Sequence, residues 1–159
     1  MKSRKNESFF KSVENAVSGF IYAVKRERNL KIDMGAFLFI MLFAYDFGLS
    51  RAEAAIVFFA AALVICAELF NTSIENGLDA ITTNYNESIK HAKDICAAAV
   101  GITALGAIIC AAVIFGDAKR LLDLFEQFTT QPVGIIKYIP IIIYEAVIIF
   151  GKDKDINEK

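Results

Sequence analysis

Cysteine and histidine are scarce in this chain, with three of the first and one of the second among 159 residues. Cys66, Cys96 and Cys110 each lie inside an apolar block, show no C-x-x-C spacing and cannot all pair. That excludes a zinc site or a disulfide framework as the organising feature, and the thiols read as small buried packing side chains. Neither a G-x-x-x-x-G-K-[ST] loop nor the protein-kinase motif set is present, which excludes the soluble kinase folds. Charge is thin as well: 22% of the residues are charged against 56% hydrophobic, and mean hydropathy is +0.48. A net charge of −1, with no basic groove or recognition motif, argues against nucleic acid as a partner. The start lacks an early apolar core and a cleavage site, so it does not read as a signal peptide.

What the sequence does have is segregation. Residues 1 to 31 carry eight of the seventeen Lys and Arg, which predicts a cytoplasmic N-terminus. Phe9, Val13, Val17, Phe20 and Val24 recur at steps of three and four opposite Lys11, Glu14, Asn15 and Ser18. This pattern predicts an amphipathic helix over 8–25 lying in the membrane interface, the alternative being a helix packed on protein. Apolar blocks at about 30–49, 54–81 and 92–116 predict three membrane helices. The first is short for a hydrocarbon layer of about 30 Å, a deficit eased if Lys31 snorkels. Asp46 to Arg51 forms a polar turn and Thr82 to Glu87 a second loop. Ala99, Thr103, Ala107 and Ala111 repeat at i+4 and offer a ridge of small side chains for close helix contact, thinned further by Gly101 and Gly106.

The expected fold is therefore an all-α membrane protein: an interfacial helix, a three-helix transmembrane bundle over residues 1–116, and a C-terminal extension over 117–159. The extension opens with the amphipathic DAKRLLDLFEQFTTQ. It continues with PVGIIKYIPIIIYEAVIIFG, which is long enough to span yet holds Lys137, Pro140 and Glu145. Charges at a helix centre cost about 2.5–3.5 kcal/mol each on insertion scales, so a fourth membrane segment and an interfacial helix pair stay open. A mixed-charge, disordered end is expected from Lys152. The N-x-[ST] matches at Asn6, Asn71 and Asn86 read as chance.

Fourteen apolar residues, Ala54 to Ala67, run straight into Glu68, Asn71, Glu75 and Asp79. On a helix these four fall within a stripe of roughly 80°, with Glu75 about 10 Å and Asp79 about 16 Å along the axis from Glu68. Such a stripe repels itself and resists desolvation. Lys93, the Lys25–Lys31 group or a divalent cation are the candidates to offset it, and carboxylates with only His91 nearby suit Mg²⁺. From spacing alone, catalysis or metal binding, ion or proton transport, and a structural role all remain open.

The segments RERNLKI (26–32), AELFNTSIENGLD (67–79) and HAKD (91–94) resemble the prokaryotic diacylglycerol kinase family of small three-span membrane kinases. The resemblance covers about residues 10 to 116, and RERN is closer to the undecaprenol kinase branch. It implies an ATP- and Mg²⁺-dependent kinase of a membrane lipid alcohol, undecaprenol first and diacylglycerol as the alternative. It also implies a multi-pass protein of the bacterial plasma membrane, assembled as a homotrimer with sites shared between subunits. Residue by residue, Glu68 matches the catalytic base and Asn71 the polar residue that supports it. Glu27 and Glu75 match the pair holding metal on the ATP phosphates, and Asp79, Lys93 and Asp94 match nucleotide contacts. Lys31 stands where the family often has Arg, which weakens a bidentate phosphate contact. Gly77-Leu78 replaces a pair more often β-branched. The rival from another class is a small ion or proton transport subunit.

Overall fold

The computed structural model describes residues 9–82 and 84–151. The basic start, Asn6 and the mixed-charge end from Lys152 lie outside them. Six α-helices follow in order: α1 Phe9–Arg26, α2 Arg28–Asp46, α3 Arg51–Ile81, α4 Glu87–Phe115, α5 Ala118–Thr130 and α6 Ile139–Phe150, with a 3₁₀ segment Pro132–Tyr138 before α6. No strand occurs among the described residues. The fold is all-α.

Local chemistry fixes the helix ends. α1 and α2 are separated by Glu27 alone, which is extended (φ −93°, ψ 121°) and uses no side-chain capping bond. α2 thus begins at Arg28, ahead of the apolar block. At its other end Gly48 takes φ +69°, a left-handed conformation that suits glycine. Gly48 N–H donates to the Tyr45 carbonyl and Leu49 N–H to the Ala44 carbonyl, closing the helix in a Schellman motif. Asp46-Phe47-Gly48 spells a protein-kinase motif, yet here it is this helix end. The Phe47 and Phe43 rings pack on Phe115 at 5.1 and 5.0 Å.

α3 opens with a capping box. Ser50 Oγ accepts from Glu53 N–H (3.3 Å) and Glu53 Oε2 from Ser50 N–H (2.8 Å), so the helix starts three residues before the apolar run. Asn86 caps α4 by accepting from the Ser88 and Ile89 N–H groups at 2.9 and 3.2 Å. That draws α4 back to Glu87. Asp117 caps α5 in the same way.

Three stretches are long and apolar enough to cross a membrane: α3, α4 and Pro132–Phe150. α2 has the length, but Arg28, Lys31, Asp33 and Asp46 interrupt its apolar character. Few side chains are buried, and α4 fully buries none. Water would not tolerate so much outward apolar surface on a soluble protein. Cys66 is exposed rather than packed, Cys96 and Cys110 are half-buried, and all three are free. Gly101 and Gly106 face open space, with nothing within 4 Å of a Cβ at either position.

α6 lies antiparallel along α2. Near the end of α2, Asp46 receives Lys137 Nζ and Tyr138 Oη, both at 2.5 Å. Near its start, Arg28 donates to the Ile148 carbonyl (3.2 Å) and to that of Ile149, capping the C-terminus of α6. Between these ends Tyr144 Oη reaches the Lys31 carbonyl at 3.4 Å. Gly35 faces α6, and a side chain there would push the flexible Glu145 carboxyl aside and crowd the Tyr144 ring.

Candidate active site

The acidic stripe of α3 runs from the buried middle of the bundle to its solvated end. Glu68 is 3% exposed and Thr72 beside it is buried, Asn71 and Glu75 are half-buried, and Asp79 is exposed. A carboxylate as deep as Glu68 needs partners. Asn29 on α2 supplies a hydrogen bond, while Asp33, Glu27 and Glu75 act on it through their charges. The helix break at Glu27, the first turns of α2 and the middle of α3 therefore converge on one carboxylate.

Asn71 links this group together. Its Nδ2 donates to Glu75 Oε1 at 3.4 Å, and its Oδ1 is buried without a partner among the described residues. Such an orphaned oxygen is costly unless something outside the chain meets it. Toward the solvated end, Lys93 Nζ on α4 meets Asp79 Oδ1 at 2.6 Å and also lies within electrostatic reach of Glu75. Asp94 follows it, exposed. Lys31 sits one turn after Glu27, its N–H donating to the Glu27 carbonyl at 3.3 Å. His91 pairs with Glu87 at 3.7 Å on its own helix.

No three His, Cys, Asp or Glu side chains among the described residues are placed to share one ion. Mg²⁺ asks less of the protein, usually one or two carboxylates with phosphate oxygens and water completing the shell. Glu27 and Glu75, which both act on Glu68 through their charges, and the open oxygen of Asn71 are the oxygen donors available here.

Two members of the cluster escaped the sequence reading. Asn29 lies within RERNLKI and Asp33 at the head of an apolar block, and neither stands out there. Their i, i+4 spacing on one face of α2 was the available signal. In the sequence Glu145 reads only as an obstacle to spanning. Its approach to Gly35 and Asp33 depends on how the extension folds back.

An α-helical membrane bundle with carboxylates, an amide and a lysine gathered toward one end is the class that this architecture defines. The profile of the prokaryotic diacylglycerol kinase family matches residues 14–115, well over half of the chain. The chain belongs to that family and is a membrane lipid kinase with ATP as co-substrate. It is similar to an undecaprenol kinase of Bacillus subtilis, 33% identical over 116 residues that cover 72% of this chain and 94% of that protein. It is also similar to a diacylglycerol kinase of Synechocystis, 31% identical over 99 residues covering 62% of this chain and 57% of that one. α5 and α6 lie beyond the residues that the family profile matches.

Proposed function

We propose that this chain transfers the γ-phosphoryl group of ATP to an isoprenoid alcohol of the undecaprenol type, in an Mg²⁺-dependent reaction. The observation that carries the reading is the convergence of Glu27, Asn29, Asp33 and Glu75 on the buried Glu68, next to the unpartnered Asn71 oxygen. Phosphoryl transfer demands positioning and charge neutralisation more than covalent chemistry from the protein. Glu68 takes the proton of the lipid hydroxyl as that oxygen bonds to the γ-phosphorus. The bond from γ-phosphorus to the bridging oxygen breaks, leaving ADP and the lipid phosphate. Glu27 and Glu75 are the residues that would hold Mg²⁺, and the ion, when bound, draws charge off the phosphate oxygens. Asn71 holds Glu75 in register, and Asp79, Lys93, Asp94 and Lys31 meet the nucleotide from the aqueous side.

Depth along α3 supports this order: a lipid hydroxyl arrives at the buried Glu68, a triphosphate at the exposed Asp79. The assignment of undecaprenol follows the RERN segment and the similarity to the Bacillus enzyme. We further infer a bacterial plasma-membrane location with a cytoplasmic N-terminus, as the basic residues before α2 suggest. A homotrimer with shared sites is carried over from the family resemblance, and the unburied face of α4 leaves surface for it.

Purified protein in detergent, given γ-labelled ATP and Mg²⁺ with undecaprenol or diacylglycerol side by side, tests the proposal. Label should enter undecaprenol at the higher kcat/KM. Preference for diacylglycerol would reassign the acceptor, and label in neither lipid would remove the reading.

A further inference from the structure

A cavity of about 600 Å³ lies among α2, α3, α4 and α6, within the size range of small-molecule sites. Its walls include Phe37, Val64, Ala107 and Ile142, and among the described residues its only oxygen- or nitrogen-bearing side chains are Asp33 and Glu145. Glu145 comes from the extension, and its Oε1 is buried without a hydrogen-bond partner among the described residues. Asp33 acts electrostatically on both Glu145 and Glu68. It is therefore the residue shared by the cavity and the catalytic cluster.

We propose that α6 forms the fourth wall of the acceptor cleft, and that Glu145 is a positioning residue for the acceptor's hydroxyl end. This deepens, and rests on, the lipid-kinase reading above. The isoprenoid chain lies along the apolar walls, and its hydroxyl enters at Asp33 and Glu145, from which it is handed to Glu68. Donor and acceptor chemistry selects this occupant. A lipid with a lone hydroxyl brings a donor for a carboxyl oxygen and otherwise only hydrocarbon. A diacylglycerol adds two esters, whose acceptor oxygens find no amide, hydroxyl or ammonium side chain in the lining among the described residues. Leaving polar groups unpaired in such a place is what binding sites discriminate against. The small residues Ala104, Ala107 and Ala111 of α4 keep this space open rather than filling it.

The Tyr138 ring contacts, the Lys137–Asp46 ion pair and the Arg28 hydrogen bonds hold α6 and the segment before it against α2. Tyr138 packs on Phe39 at 5.3 Å and on Phe128 at 6.1 Å, while the Asp46 and Arg28 contacts hold the two ends.

The test uses the full-length protein in detergent and two variants. Ile142→Trp fills the cleft from a position that is 54% exposed, so the packing tolerates it. It should raise KM for undecaprenol by about tenfold, equivalent to about 1.4 kcal/mol of acceptor binding, with KM for ATP unchanged. Glu145→Gln should raise KM for undecaprenol while kcat at saturating lipid is largely kept, and Glu145→Asp should recover part of the loss. In the unmodified protein, a photoactivatable isoprenoid alcohol should label peptides from α6 and from the Ala104–Ala111 turn of α4, in competition with undecaprenol. If the wild type phosphorylates undecaprenol but both variants keep its KM and the label falls elsewhere, the cleft proposal is overturned and the kinase reading stands. If the wild type phosphorylates no lipid alcohol, the kinase reading falls and takes the cleft with it.

Discussion

At the residue scale, the chain has spent its few polar side chains inside apolar helices at one place. Glu68 is buried, lies within electrostatic reach of three other carboxylates and is met by the Asn29 side chain. Glu68→Gln preserves shape and removes the proton acceptor, so turnover should fall by roughly 10²–10⁴, the usual range for a general base, while ATP binding persists. Single-turnover transfer and nucleotide binding measured on the same sample check this. Glu75→Gln should act differently, raising the Mg²⁺ concentration needed for half-maximal rate, because it weakens a metal ligand rather than the base. Full activity in both variants would end the role assignments. Of these residues, Glu68, Asn71, Glu75 and Asp79 were legible because helical geometry places i, i+3, i+7 and i+11 on one stripe. Asn29 and Asp33 were not, because their meaning depends on α2 lying against α3.

At the element scale, helix limits depend on capping groups more than on where the apolar residues begin. The capping box of Ser50 and Glu53 starts α3, and Asn86 starts α4 well before its apolar run. Asn86→Ala should destabilise the protein by about 0.5–2 kcal/mol, as loss of a helix N-cap typically does, without changing KM for lipid. Thermal unfolding in detergent, followed by circular dichroism beside an activity assay, separates the two effects. Gly35 has the opposite kind of importance. It is a contact position, where any side chain meets Glu145. Gly35→Leu should dislodge α6 from α2, and increased protease cleavage in the 131–139 connection would report it. The apolar periods identified the helices, while the capping side chains and the contact glycine needed the three-dimensional neighbours to be interpreted.

For the whole molecule, the extension makes the arrangement four-sided. α6 returns along α2, so its C-terminal end lies beside Arg28 and the N-terminal end of α2. If α1 faces the cytoplasm, a single cysteine placed at Phe150 in a chain freed of Cys66, Cys96 and Cys110 should react with an impermeant maleimide only from the cytoplasmic side. Reaction from the opposite side would reverse the path of α6. Outward apolar surface on α4, including Ile102, Leu105 and Ile109, faces lipid or a second copy. Cross-linking through that face should give a closed trimer if the shared-site assembly carries over from the family.

The amino-acid order by itself determined the helical class, the membrane as solvent, the two-ended acidic stripe and the family. Each follows from periodicity, hydropathy or a spaced motif, all of which are properties of neighbours along the chain. Tertiary structure decided where the extension packs and which further side chains lie beside the acidic stripe. Gly35, Asp33 and Glu145 lie far apart in sequence, or apart in function, until α6 folds back on α2. Only then does a carboxyl from the extension come against Asp33 and the acidic cluster of α3, because the Lys137–Asp46 ion pair at one end and the Arg28 hydrogen bonds to backbone carbonyls at the other hold α6 along α2.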